Sequence, residues 1–524
     1  MQAALPLVLV VLAVLALVHL AAPRLRTPAP ILLAIAGAGV GCIPGLPTLR
    51  LDPELILVMF LPPLLYADAF GTSWIDFRRW LRPILMLAFA LVAVTTFVVG
   101  ITVHALLPTL PWPVCFILGA IVSPTDTVAV QAVLERLHVS RRITAILGGE
   151  SLVNDATGLV GMQVGVAVML SGAFEAGSVA LQFAWVVTGG VAVGLGAGWL
   201  FSLANRWVRE PRVLFVLSLI SPYLAFLAAH GLGTSGVLAV VISGFVVAWR
   251  IHTVPAQARI ELYSTWKMLV FVLNGICFVI IGLETPRLLR ETNVADSSVL
   301  VAALAVSGAV IGTRLLWAFP NAYLPLYLSR SLREKEGGYP AVRGVALVSW
   351  CGVRGVVSLA AALSLPYTLA DGSPFPGRDA VIACTLVVIL VTLIAQGLTL
   401  QPLIHLLGLR ADLDSEHKVR TAREAVLAAG IARLDEFCNE VSCPISVHHW
   451  RELMADELAL LRDEDNEARK HASTRLSVSN SVRRAVSEAQ DRELLALRER
   501  ATINDRTYVE LQLELDKRRG DDPE

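Results

Sequence analysis

Runs of about 18 to 25 apolar residues, separated by short segments that collect arginine, fill residues 1–408. A helix of that length crosses roughly 30 Å of hydrocarbon. In lipid every backbone N–H and C=O must be bonded internally, which leaves only helices or a closed barrel. The runs are continuous rather than alternating, so the fold class expected is an all-α polytopic membrane protein. Composition agrees, with 55% apolar and 16% charged residues and a mean hydropathy of +0.66, far from the usage of soluble domains. The 43 basic and 43 acidic residues cancel, so net charge points neither to nucleic acid nor to an acidic partner.

By length the runs give about thirteen candidate spans, near 3–22, 29–46, 54–71, 83–107, 113–134, 143–170, 179–204, 213–230, 234–249, 263–283, 298–328, 341–366 and 380–407. The first has no charged leader and is too long for a signal h-region, so it reads as a retained span. Loops after odd-numbered spans hold roughly 17 Arg and Lys against 4 in the others, so the N-terminus is expected outside and the tail in the cytoplasm. Residues 1–410 form a transmembrane domain on this reading, and 411–524 a helical cytoplasmic tail. Within the tail, 450–462 and 483–500 have the apolar spacing of amphipathic helices. Cys438, Cys443, His448 and His449 cluster there, but their interval fits no usual zinc pattern and solvated helix residues are the simpler reading. The remaining cysteines sit in apolar segments as small hydrophobes, and no disulfide framework is expected.

Ionisable side chains inside spans cost a few kcal/mol each and therefore mark function or pairing. Asp68, Asp126, Glu150, Asp155, Arg314 and Arg354 are the ones that stand out. Asp126, Asp155 and Arg354 each lie about 12 to 13 residues into a span, roughly 18–20 Å along its axis. In 149–155 (Gly-Glu-Ser-Leu-Val-Asn-Asp), helical spacing puts Ser151 and Asp155 on one face and Glu150 and Asn154 on the adjacent one. Arg354, always charged, needs a carboxylate. Glu150 is the expected partner because that leaves Asp155 free, with an Arg354–Asp155 structural bridge as the alternative. Pro124, within Ser123-Pro124-Thr125-Asp126-Thr127, removes a backbone donor and frees a carbonyl that can ligate a cation. Gly352 and Gly355 weaken the twelfth span. If spans 1–6 and 8–13 are inverted repeats around the seventh, spans five and twelve correspond, and interrupted helices in matching positions point to a transport site.

At these residues the chain resembles a known family. The strings 60–66 (Phe-Leu-Pro-Pro-Leu-Leu-Tyr), 123–126 (Ser-Pro-Thr-Asp), 149–155 and 352–355 (Gly-Val-Arg-Gly) are similar to those of bacterial monovalent cation:proton antiporters related to animal sodium/hydrogen exchangers. The resemblance spans residues 1–408. It implies the thirteen-helix antiporter fold with crossed, unwound helices, usually as a homodimer. It casts Asp155 as the carboxylate that binds cation and proton in turn, with Ser151 and Thr125 as oxygen ligands. Asn154 and Asp126 would hold the crossing, and Glu150 with Arg354 would be the structural ion pair. Where relatives often carry a glutamate, this chain reads Tyr66-Ala67-Asp68, with the acid shifted by one position and about 100° around the helix.

The activity expected is exchange of Na+, or of Li+ or K+, for H+ across the inner (plasma) membrane, electroneutral and one-for-one. No cofactor is expected, and the partners are cations, protons and the bilayer. A K+/H+ antiporter is the nearest alternative. A cation channel would show a continuous polar stripe, and an intramembrane enzyme would need an activated nucleophile or a histidine-rich metal set. His19, His104, His230 and His405 stand singly in apolar segments, as satisfied bundle residues do.

Overall fold

The computed structural model describes residues 4–25, 27–43, 53–137, 139–171, 176–208, 210–291, 297–369, 372–409, 413–440, 445–462, 466–500, 511–512 and 515. Cys443, the expected end of the second span at 44–46 and the expected boundary at 410–411 lie outside them. The chain divides into two compact units, Met1–Ala411 and Asp412–Glu524.

Among the described residues the regular structure of the first unit is helical, apart from one isolated bridge between Thr368 and Pro374. It opens with α1 (Ala4–Leu25), α2 (Ala29–Gly41), α3 (Pro53–Gly71) and the short α4 (Trp74–Arg79). α5 (Leu81–Leu85) passes through a π-helical turn at Met86–Leu91 into α6 (Val92–Leu106). Next come α7 (Trp112–Val122) and α8 (Val128–Arg136), separated by an extended stretch, then α9 (Arg141–Ser171), α10 (Ala176–Trp207), α11 (Pro211–Gly231) and α12 (Gly236–Trp249). α13 (Ala256–Glu291), α14 (Ser297–Leu328) and α15 (Arg330–Lys335) lead to a second interrupted pair, α16 (Val342–Trp350) and α17 (Val356–Leu363), and α18 (Arg378–Leu407) closes the unit. Among the described residues seven helices are long and apolar enough to cross a membrane, and five shorter ones are apolar.

Small residues set the closest helix approaches, as lipid-embedded helices require when no hydrophobic drive separates them from lipid. Gly190, Gly194 and Gly198 of α10 lie against Ser235, Ala239 and Ser243 of α12, two four-residue repeats in register. Gly37 and Gly41 of α2 likewise meet the backbone of Val279, Gly282 and Leu283 in α13. The pairing that positions the site is α7 with α9: Gly158 packs on the Pro124 ring and the Ala120 carbonyl, Gly161 on Ala120 and Gly165 on Ile117. A larger residue at Gly158 would push α9 away from the break after α7.

The second unit contains α19 (Leu413–Glu440), α20 (Ile445–Leu461) and α21 (Asn466–Glu499). Its helices bury Leu458 and Leu494 and are joined by ion pairs Arg451–Asp435, at 2.5 Å, and Arg475–Asp456. Cys438 is disulfide-bonded, which removes its thiolate from the metal set considered above. No cluster of three or more metal-ligating side chains occurs among the described residues.

Candidate functional site

Both interruptions have local causes. Pro124 has no N–H to give the carbonyl of Ala120, so α7 stops. Ser123 Oγ donates to that carbonyl instead, at 3.2 Å. α16 stops where Cys351 takes φ −73 and ψ 73 and Gly352 N–H donates back to Trp350 O at 2.8 Å, an inverse γ-turn. The two extended stretches then meet, because Asp126 N–H donates to Val353 O at 2.7 Å. Four helix ends converge there: the C-terminal ends of α7 and α16 and the N-terminal ends of α8 and α17.

Helix ends carry partial charge, negative at the carbonyl end and positive at the amide end. The side chains match that pattern. Arg354 Nε donates to Val122 O at 3.0 Å, its Nη1 donates to Gly352 O, and its own N–H donates to Thr392 Oγ1 at 3.2 Å. Asp126 Oδ1 accepts from Val128 N–H at 2.8 Å, capping α8. The same carboxylate lies against the Cα of Gly355, the residue before α17, where any Cβ would overlap it. One cation therefore serves two carbonyl ends, and one anion lies at two amide ends.

The expected Glu150–Arg354 pair is replaced by another. Glu150 accepts from Arg314 through both oxygens, one contact at 2.8 Å, and Arg314 also donates to Val348 O at 3.0 Å. Both side chains are 1% exposed. Arg354 is not the partner because the unpaired carbonyls of the two breaks take its donors. The depth argument singles out Arg354 and passes over Arg314, and only the crossing shows which of the two pairs with Glu150. Thr392 gave no sequence signal, since a buried threonine on an apolar helix ordinarily bonds its own backbone, as its hydroxyl also does to Val388 O at 2.8 Å.

From Glu150 a chain of hydrogen bonds runs toward Asp155. Thr125 Oγ1 donates to Glu150 Oε1 at 3.2 Å, and Asn154 Nδ2 donates to Thr125 Oγ1 at 2.9 Å. The hydroxyl spends its proton on the carboxylate, so it must accept from the amide nitrogen, which fixes the Asn154 amide. Asn154 is 1% exposed, and its Oδ1 is buried with no donor. Asp155, 7% exposed, lies three residues before Gly158, on the side of α9 that packs against the Pro124 break. Ser151 lies one turn earlier. Among the described residues no hydrogen-bond donor is assigned to Asp155, and Asp126 and Asp68 lie within electrostatic reach of it. The structure thus brings Thr125, Asp126, Glu150, Asn154, Asp155 and Arg354 together around the crossing, and adds Arg314 and Thr392.

An all-helical membrane protein with two interrupted helices crossing beside buried acids belongs to the class of secondary ion transporters. Comparison with known proteins gives the family. The model of the sodium/hydrogen exchanger family (transmembrane) matches residues 9–406. An uncharacterized Na+/H+ exchanger of Mycobacterium tuberculosis is 34% identical over 501 residues, covering 94% of this chain and 91% of that protein. A sodium, potassium, lithium and rubidium/H+ antiporter of Bacillus subtilis is 30% identical over 502 residues, covering 93% and 73%. The solved sodium proton antiporter of Methanocaldococcus jannaschii at pH 8 superposes with a TM-score of 0.62 at 21% identity, covering 78% of this chain and 99% of that one. The chain belongs to the sodium/hydrogen exchanger family, and is an integral-membrane monovalent cation/proton antiporter, not an enzyme.

Proposed function

We propose that the protein exchanges sodium for protons by alternating access, with Asp155 carrying proton and cation in turn. One contrast on α9 carries this reading: Glu150 is neutralised by Arg314, while buried Asp155 has no assigned donor among the described residues. A carboxylate held out of water without a partner is costly as an anion. Either a proton or a hard cation relieves it, and the two compete for one place. Oxygens for the cation come from Asp155, the unpaired Oδ1 of Asn154, the second lone pair of Thr125 Oγ1, and Ser151, with Asp126 beside them. Glu150 has a structural role with Arg314, and Arg354 balances the helix ends.

Charge bookkeeping around the crossing bears on stoichiometry. Four acids, Asp68, Asp126, Glu150 and Asp155, and two cations, Arg314 and Arg354, enter the count, with Arg314 on Glu150 and Asp68 within electrostatic reach of Asp126 and Asp155. Glu150 cancels Arg314 and Asp126 offsets Arg354, which leaves Asp155 and Asp68. Electroneutral one-for-one exchange requires Asp68 to hold one protonation state through the cycle while Asp155 alone titrates.

Seven long helices, five shorter apolar ones and the interrupted pair α16–α17 support a count of thirteen spans, with inverted repeats either side of α10. The proposed setting is the plasma (inner) membrane, N-terminus outside, tail cytoplasmic, as a homodimer. The printed cation range of the Bacillus relative supports a second reading in which K+ is also carried. Proteoliposomes loaded with a pH dye and challenged with Na+, Li+ and K+ in turn decide: sodium should collapse an imposed pH gradient. Proton movement that follows voltage and not cation would defeat the exchange reading.

A further inference from the structure

A cavity of about 240 Å³ lies between α5, α9, α14 and α16, with Leu87, Ile146, Ala322 and Val345 among its walls. Its polar lining is strongly asymmetric. Arg82 is spent: Nε and Nη2 hold Glu336 at 2.6 and 3.0 Å and Nη1 donates to Asn321 O at 2.9 Å. Arg142 is not spent. It approaches Glu336 only at 4.0 Å, its guanidinium lies 4.1 Å from the Trp80 ring centroid, and no side-chain hydrogen bond is assigned to it among the described residues. Stacking a guanidinium on an aromatic face leaves its in-plane N–H donors aimed outward. Arg79, Arg82, Glu336 and Tyr323 lie within electrostatic reach of it, and both oxygens of Glu336 are already held by Arg82. Asn321, 7% exposed and also lining the cavity, has a buried side-chain oxygen with no donor.

An uncommitted guanidinium at the mouth of an apolar cavity, inside a unit that sits in lipid, selects an anion attached to a hydrocarbon body. We propose that this cavity binds one anionic phospholipid, its phosphate on Arg142 and its acyl chain along Leu87, Ile146, Ala322 and Val345. Arg82, Arg142, Pro340 and Leu409 all line it. They come from segments after odd-numbered spans or from the end of the last one, the end where anionic cytoplasmic-leaflet headgroups would lie in the proposed topology. Val348 lines it too, and its carbonyl holds Arg314. The occupant therefore braces the helix that supports the Arg314–Glu150 pair.

The test uses the full chain reconstituted in phosphatidylcholine vesicles with or without phosphatidylglycerol, then gently extracted, with retained lipid counted by native mass spectrometry. Wild type should retain one phosphatidylglycerol, and Arg142→Gln should retain about tenfold less, the usual effect of losing a charge-assisted hydrogen bond. Arg142→Lys should keep most of it, because a point charge still holds phosphate. Ala322→Phe, which fills the cavity and leaves every charge in place, should lose it. Equal retention by wild type, Arg142→Gln and Ala322→Phe would mean annular lipid and overturn the proposal. So would inorganic phosphate at millimolar concentration displacing the lipid or raising the melting temperature as much, since the site would then take a free anion.

Discussion

Removing the Arg314 guanidinium should be the most damaging single-charge change to folding in the membrane unit. Its two donors occupy both oxygens of Glu150 and a third contact goes to Val348 O, with both side chains 1% exposed. Breaking one partner of such a pair leaves an uncompensated buried charge and costs about 3–5 kcal/mol. At about 2 cal/mol/K of unfolding entropy per residue over the unit, that is a fall in melting temperature on the order of 5 °C. The assay is a double-mutant cycle read by intrinsic-fluorescence melting in mild detergent. Arg314→Gln should lose the most, and Glu150→Gln with Arg314→Gln should recover much of it, because a neutral pair keeps an acceptor for Thr125 and strands no charge. The coupling should be about 2–3 kcal/mol. The Arg354→Gln and Glu150→Gln cycle should give clearly less, since Arg354 is bonded to the Val122 and Gly352 carbonyls. Wild-type stability in Arg314→Gln, or stronger coupling of Glu150 to Arg354 than to Arg314, would refute the assignment.

Gly355→Ala should abolish transport and lower yield, because its methyl overlaps the Asp126 carboxylate at the α17 terminus; normal activity in vesicles would show that the carboxylate is not needed there. Asp68→Asn should retain at least part of the exchange and stay electroneutral, which current recordings on supported membranes can check against a voltage-driven result. In the wild type the apparent cation affinity should fall as pH falls, since protons occupy the same carboxylate; a pH-independent half-saturation would contradict competition.

Much of this was legible in the sequence for physical reasons. Hydrocarbon thickness sets the length of the apolar runs, so most helices lie close to their expected bounds, and Pro124 and Gly352–Gly355 marked the two breaks. Periodicity put Asp155 and Ser151 on one face of α9, and the structure packs that side of the helix on the broken α7. Pairing was not legible. Arg314 and Arg354 were both costly charges inside spans, and the choice depended on which helix end exposed carbonyls, a property of the crossing and not of either segment. The expected α13 span of 263–283 was also too short, because its polar first turns, Ala256 to Tyr263, continue the helix beyond the apolar run. Thr392 and the Arg142 cavity arise from contacts between helices distant in sequence, for which spacing carries no signal.

Asp155→Asn is the most direct measurement. An amide of the same shape can neither take up the exchanged proton nor supply the charge that holds a cation. The variant should therefore fold, reach the membrane and melt close to wild type, yet show no sodium-dependent proton movement in proteoliposomes under an imposed pH gradient. Sodium-driven proton transport at a substantial fraction of the wild-type rate in folded Asp155→Asn protein would contradict the assignment of Asp155 as the exchange site.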